Sequence, residues 1–107
     1  MTIIQGDQVT IAVQLTDEAD NIITPDDVDG VVLTLGTVSR RSWDEEYPVE
    51  YDQLLRSWLL AVTQEDSFAL RAGVAKMSAR VVFLDGGIGG ANVATVFVLP
   101  AQNREVL

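Results

Sequence analysis

The stretch "VAKMSARVVFLDGGIGGANVATVFVL", residues 74–99, gives the clearest indication of the fold class. Two stretches rich in β-branched residues, 74–84 and 91–99, flank a segment that holds four of the eight glycines of the chain. Apolar runs of this length bounded by glycine are typical of strands, and glycine tolerates the backbone angles of a tight hairpin. We therefore predict two strands joined by a hairpin.

The same pattern extends upstream of this hairpin. Residues 8–16 alternate between apolar and polar positions, which is the period of a half-buried strand. Residues 31–38 and 57–63 repeat it, and we expect 47–52 to be an edge strand, with Pro48 near its start. The polar segment 17–21 predicts a turn with Asn21 in the left-handed region.

Residues 63–73 interrupt the strand pattern. Thr63 and Asp66 have the spacing of a capping box, and Gly73 is suited to follow the end of a helix. Such a short helix is stable only when it docks, and we expect Phe68 and Leu70 to pack it on the sheets. The sequence thus predicts an all-β fold, an Ig-like antiparallel β-sandwich of about six to seven strands with one short helix at about 64–71. The length of 107 residues predicts a single domain over residues 1–107.

Composition excludes several classes of function. The chain has no cysteine and no histidine, so it lacks thiolate chemistry and the commonest general base and metal ligand. A net charge of −9 disfavours binding to nucleic acid or to an anionic membrane. The only basic pair, Arg40 and Arg41, is followed at once by Asp44, Glu45 and Glu46. We expect no nucleic-acid partner, no membrane partner, no signal peptide and no transmembrane segment.

The glycine-rich segment 83–92 raises the question of a phosphate site. A phosphate loop precedes a helix N-terminus, and a P-loop adds a lysine after its last glycine. Here Gly90 is followed by Ala91, Asn92 and a β-branched strand, and the spacing does not fit G-x-G-x-x-G. We interpret the segment as a hairpin and expect no cofactor.

Other polar and aromatic clusters also have simple interpretations. Asp26, Asp27 and Asp29 lack the remaining ligand spacing of a calcium loop, so we expect no metal. The acidic run 44–46 is interpreted as a solvated face, and no spacing indicates a catalytic carboxylate pair. We expect Trp58 in the core and Trp43 at an edge or interface.

A family resemblance adds to these inferences. Residues 5–36 resemble the opening of phage and prophage baseplate and tail-fibre Ig-like modules through Gly6-Asp7, the acidic turn 17–21, and residues 28–30. Residues 58–86 are similar in their order of strand, threonine, acidic pair, short helix, long strand and Asp-Gly hairpin. The chain departs from the pattern at Asp20-Asn21, where a turn glycine is usual, and at Val74-Ala75, where an aromatic is common. The resemblance implies a virion structural protein without catalytic residues, located in the virion or in the host cytoplasm before assembly.

The sequence therefore leaves three candidate functions. The first is a non-catalytic phage or prophage tail or baseplate component that binds itself and other virion proteins. The second is a carbohydrate-binding-like sandwich that uses Trp43, Tyr47 and Tyr51 as stacking platforms. The third, an enzyme with carboxylate chemistry, has no supporting pattern, and we expect no enzyme. Since strands 31–38 and 91–99 carry no charge, an exposed edge on either would favour self-association, tightened by salt that screens the net charge.

Overall fold

The computed structural model describes the backbone of residues 1–107 and every side chain except those of residues 91–93. The chain forms one α-helix, α1 (Gln64–Ala69), and a single 3-10 turn at Pro25–Asp27. It also forms eight strands: β1 (Thr2–Ile4), β2 (Val9–Val13), β3 (Val28–Leu35), β4 (Val38–Arg41), β5 (Glu50–Asp52), β6 (Ser57–Val62), β7 (Gly73–Phe83) and β8 (Ile88–Leu99).

The strands form two sheets. One sheet has five strands in the order β1-β8-β7-β3-β4, and the other has three in the order β2-β6-β5. In a variable-type immunoglobulin domain the same two groups occur, with strands G, F, C and C′ in one sheet and B, E and D in the other. The predicted all-β, Ig-like sandwich with one short helix is confirmed.

Two details of the predicted sheets are wrong. The structure has eight strands instead of six or seven, because residues 31–38 turn at Gly36 and Thr37 into a separate strand, and because β1 has only three residues. The five-stranded sheet is not wholly antiparallel, since β1 pairs in parallel with β8, with Thr2 opposite Phe97. A three-residue strand is too short to produce a recognisable alternation.

Both sheets contribute to one hydrophobic cluster. Leu33, Leu60 and Met77 are fully buried within it. Trp58 is also buried, as predicted, and its indole Nε1–H donates to the carbonyl of Ile23 at 3.1 Å. The one polar atom of this large side chain is thereby satisfied inside the core.

The predicted capping box of α1 is confirmed. The Asp66 N–H donates to Thr63 Oγ1 at 3.1 Å, and the Thr63 N–H donates to Asp66 Oδ2 at 3.0 Å. The helix is shorter than expected, because it ends at Ala69 and Leu70 is already extended. The expectation for Gly73 is wrong, since this residue begins β7 instead of following the helix. Leu70 is buried as predicted, whereas Phe68 is half-buried.

Ser67 anchors the helix to the crossover between β1 and β2. Its side chain is fully buried, and its Oγ accepts from the Gly6 N–H at 2.8 Å. The same hydroxyl donates to the carbonyl of Asp7 at 2.8 Å. The helix is therefore attached to the segment that carries the chain from one sheet to the other.

Two turns test the expectations for loop residues. The hairpin between β7 and β8 is confirmed, with Gly86 at φ 89° and the Phe83 N–H donating to the Gly87 carbonyl at 2.8 Å. In the turn after β2, Asp20 has the positive φ (61°) that was expected for Asn21, so that prediction is wrong by one residue. The cause is Asp17, whose carboxylate accepts from the Asn21 N–H and places Asp20 at the bend.

Candidate interaction surface

The solvent-facing side of the five-stranded sheet is the most distinctive surface of the chain. Val31 and Leu33 of β3 are fully buried, so alternate residues of the paired strands point away from the core. We call this side the outer face. It consists of the described residues Thr2, Ile4, Gly30, Val32, Thr34, Ser39, Arg41, Val74, Lys76, Ser78, Arg80, Val82, Ile88, Gly90, Thr95, Phe97 and Leu99.

The outer face is positively charged in a strongly acidic protein. Arg41, Lys76 and Arg80 lie on it, and the acidic residue beside it among the described strand residues is Asp29, exposed at the bulge of β3. The chain has 7 basic and 16 acidic residues, so apart from these three cations it has 4 basic and 16 acidic residues, a net charge of −12. Val32 pairs with both Arg41 and Arg80, which places the two guanidinium groups on one row across three strands. Charge is thus separated between this face and the remainder of the surface.

Large apolar side chains cover the end of the outer face near β1. Phe97 is 51% exposed and lies opposite Val74, which is 64% exposed. Ile4 and Leu99 are directly paired on the neighbouring row, and both are exposed. A contiguous exposed apolar patch is uncommon on a soluble monomer and marks interaction sites.

Trp43 lies at the opposite end of this face. A Cβ atom on Gly30 would be 2.5 Å from the Trp43 ring, so the indole rests directly on the backbone of β3. Trp43 remains 57% exposed, in agreement with the predicted edge or interface position. Both ends of the outer face therefore present aromatic surface, with the cations between them.

The three aromatic residues considered for sugar binding lie in different environments. Tyr51 on β5 packs edge-on against the core residue Trp58, with ring centroids 5.2 Å apart. Tyr47 lies beneath the Arg40 guanidinium, 5.3 Å from the ring centroid. Trp43 lies over β3 of the five-stranded sheet, whereas Tyr51 belongs to the three-stranded sheet. The structure therefore does not bring these rings together into one platform.

The acidic run 44–46 lines a cavity of about 870 Å³ beside α1. Asp44 accepts from the Arg41 N–H at 2.8 Å, and Glu45 and Glu46 are exposed. Asp66 on the opposite wall forms an ion pair with Arg40. Asp44 thus stabilises the loop after β4, and Asp66 stabilises α1.

Of the acidic residues Asp26, Asp27 and Asp29, Asp27 stabilises a turn. Asp27 accepts from the Thr24 N–H at 2.9 Å and closes the 3-10 turn. Among the residues described, no three Asp or Glu side chains are grouped so that they would hold a metal ion.

One of the two uncharged strands is interior, and the other has an open edge over most of its described length. β3 lies between β4 and β7, and β1 covers β8 at Phe97–Leu99. In the pairings that the structure describes, residues 88–96 border only β7, and the register there shifts between Met77 and Ser78. A bulge of this kind blunts an edge, so the outer face is the stronger candidate for contact.

Comparisons with known proteins give no family for this chain. No protein-family model matches it, and no curated protein matches its sequence. Within the described part of the chain, no helix has the length and apolar character needed to cross a membrane.

Proposed function

We propose that this protein is a non-catalytic structural protein of a phage or prophage tail or baseplate. It works by docking on protein partners, including copies of itself, through the outer face. The observation that supports this proposal is the composition of that face: three cations with exposed Phe97 and Trp43, in a chain of net charge −9. Arginine and aromatic residues are enriched at protein interfaces, and aspartate and glutamate are depleted.

The size of the outer face fits such a role. The five strands contain 38 residues, and at about 4.8 Å between strands and about 3.3 Å per residue they cover on the order of 600 Å². This is the lower end of the area that each partner buries in a standard protein–protein interface. The face is therefore large enough to hold one partner without contributions from the loops.

The phage assignment depends on the resemblance of residues 5–36 and 58–86 to tail and baseplate modules. Those modules are building blocks, and a docking face with no described catalytic group beside it is in keeping with that role. The expected location is the virion, preceded by the host cytoplasm.

Particle composition tests this function. We expect tail particles, purified on a density gradient after prophage induction in the source organism, to contain the chain by mass spectrometry. An Arg80→Glu variant should be lost from the particles, since it reverses a charge at the centre of the outer face. Arg56→Glu, which makes the same charge change in the turn between β5 and β6, should be retained. Particles that lack the wild-type chain would contradict the function.

A further inference from the structure

We infer that the partner of the outer face is a second copy of this chain, bound head to tail. This inference depends on the proposed function and adds the partner and the geometry of the contact. A docking face with three cations requires an acidic partner surface. Because the remainder of the chain has a net charge of −12, a second copy supplies that surface.

The charges also exclude a symmetric contact of two outer faces. Such a contact would bring Arg41, Lys76 and Arg80 of one copy against the same residues of the other, and juxtaposed like charges are strongly unfavourable. The outer face must then meet a different surface of the second copy. Contacts between two different surfaces are heterologous, and they build a closed ring or an open filament instead of stopping at a two-fold dimer.

The apolar ends of the outer face strengthen the contact. Phe97 and Val74 at one end and Trp43 at the other are about half exposed or more, and covering them removes apolar area from water. The central cations orient the partner, because misaligned copies would place the cations against apolar surface without a counter-charge. Burial of the apolar ends thus adds affinity, and the cations determine how the two copies are aligned.

Charge separation reverses the salt dependence expected from net charge alone. Net charge predicts tighter association as salt rises, because salt screens the repulsion between acidic chains. A contact between a cationic face and an acidic surface weakens instead as the screening length falls from about 10 Å at about 0.1 M salt to about 3 Å at about 1 M. We expect weaker association of the wild type at high salt.

Sedimentation equilibrium and a capture assay test the inference. The wild type should exceed the monomer mass and grow with concentration, while Arg80→Glu should associate about tenfold more weakly or not at all. Arg56→Glu should match the wild type. In the capture assay, affinity-tagged Arg80→Glu should still retain untagged wild type, because the variant keeps its acidic surface and the wild type keeps its outer face.

Each other result overturns the inference. Association of Arg80→Glu equal to that of Arg56→Glu would remove the outer face from the contact. A monomeric Arg80→Glu that fails to capture wild type would contradict the head-to-tail contact, because the variant keeps its acidic surface. A monomeric wild type would exclude a second copy, and its sedimentation with phosphatidylserine vesicles would assign the face to a membrane. The particle experiment above judges the proposed function separately, since a monomeric protein retained in tail particles docks on a different virion protein.

Discussion

Replacement of Ser67 by alanine gives the sharpest test of how the fold positions β1 on the outer face. The substitution leaves the Gly6 N–H and the Asp7 carbonyl without the hydroxyl that each now contacts at 2.8 Å. Each unsatisfied buried group costs about 1–3 kcal/mol, and the lower part of that range applies because Gly6 and Asp7 are only half-buried. The expected loss in the free energy of unfolding is about 2–3 kcal/mol.

Ser57→Ala is the matched control. Ser57 is also buried, but its hydroxyl makes a single hydrogen bond, to the Leu55 carbonyl at 2.9 Å. This substitution should cost about 1 kcal/mol. For a chain of 107 residues, an unfolding entropy of about 2.1 cal/mol/K per residue converts these losses into a Tm drop of about 10 °C for Ser67→Ala and about 5 °C for Ser57→Ala.

Calorimetry measures these shifts, and hydrogen exchange locates their effect. The Phe97 N–H donates to the Met1 carbonyl at 2.9 Å in the pairing of β1 with β8. Its exchange should accelerate in Ser67→Ala more than in Ser57→Ala, because the β1–β2 crossover has lost its anchor. Equal Tm drops with unchanged exchange at Phe97 would refute the assigned role of Ser67.

Three further predictions concern other contacts. Gly30→Ala should lower the free energy of unfolding by about 1–3 kcal/mol in a denaturant titration, since its Cβ would lie 2.5 Å from the Trp43 ring. Most of this loss should vanish in a Trp43→Ala background. An equal loss in both backgrounds would contradict the packing of Trp43 on Gly30. Asp66→Ala should destabilise the fold by about 2–3 kcal/mol and Thr63→Ala by about 1 kcal/mol, because the Asp66 carboxylate both caps α1 and pairs with Arg40. A lower Tm for Thr63→Ala than for Asp66→Ala would contradict this double role. Millimolar nucleotide should leave Tm unchanged, and an increase that Gly89→Val abolishes would show a ligand site in the glycine-rich segment.

Strand positions were readable from the sequence wherever alternation extended over five or more residues. The hairpin at 84–87, the edge position of β5 and the capping box of α1 each depend on local chemistry, and all three were predictable. The strand β1 was not, because its three residues gain their structure only from pairing with β8 at the other end of the chain. Ser67 was missed for a similar reason, since its partners are 60 and 61 residues away.

The outer face could be predicted only in part. Alternation in β7 already places Lys76 and Arg80 on the side opposite Met77 and Val81. The sequence does not show that Arg41 joins them, because this depends on the register of β3 between β4 and β7. Trp43 was expected at an interface, but its position over Gly30 requires the three-dimensional path of the loop after β4.

An NMR dilution series gives the most direct test of head-to-tail association through the outer face. Amide shifts of ¹⁵N-labelled wild type, followed over increasing concentration, report which surfaces enter the contact. We predict two separate groups of perturbed amides, one on the outer face around Lys76, Arg80 and Phe97, and one on an acidic surface elsewhere. Both groups should be absent in Arg80→Glu and present in Arg56→Glu. Shifts that grow with concentration but leave the outer face unperturbed would contradict association through this face.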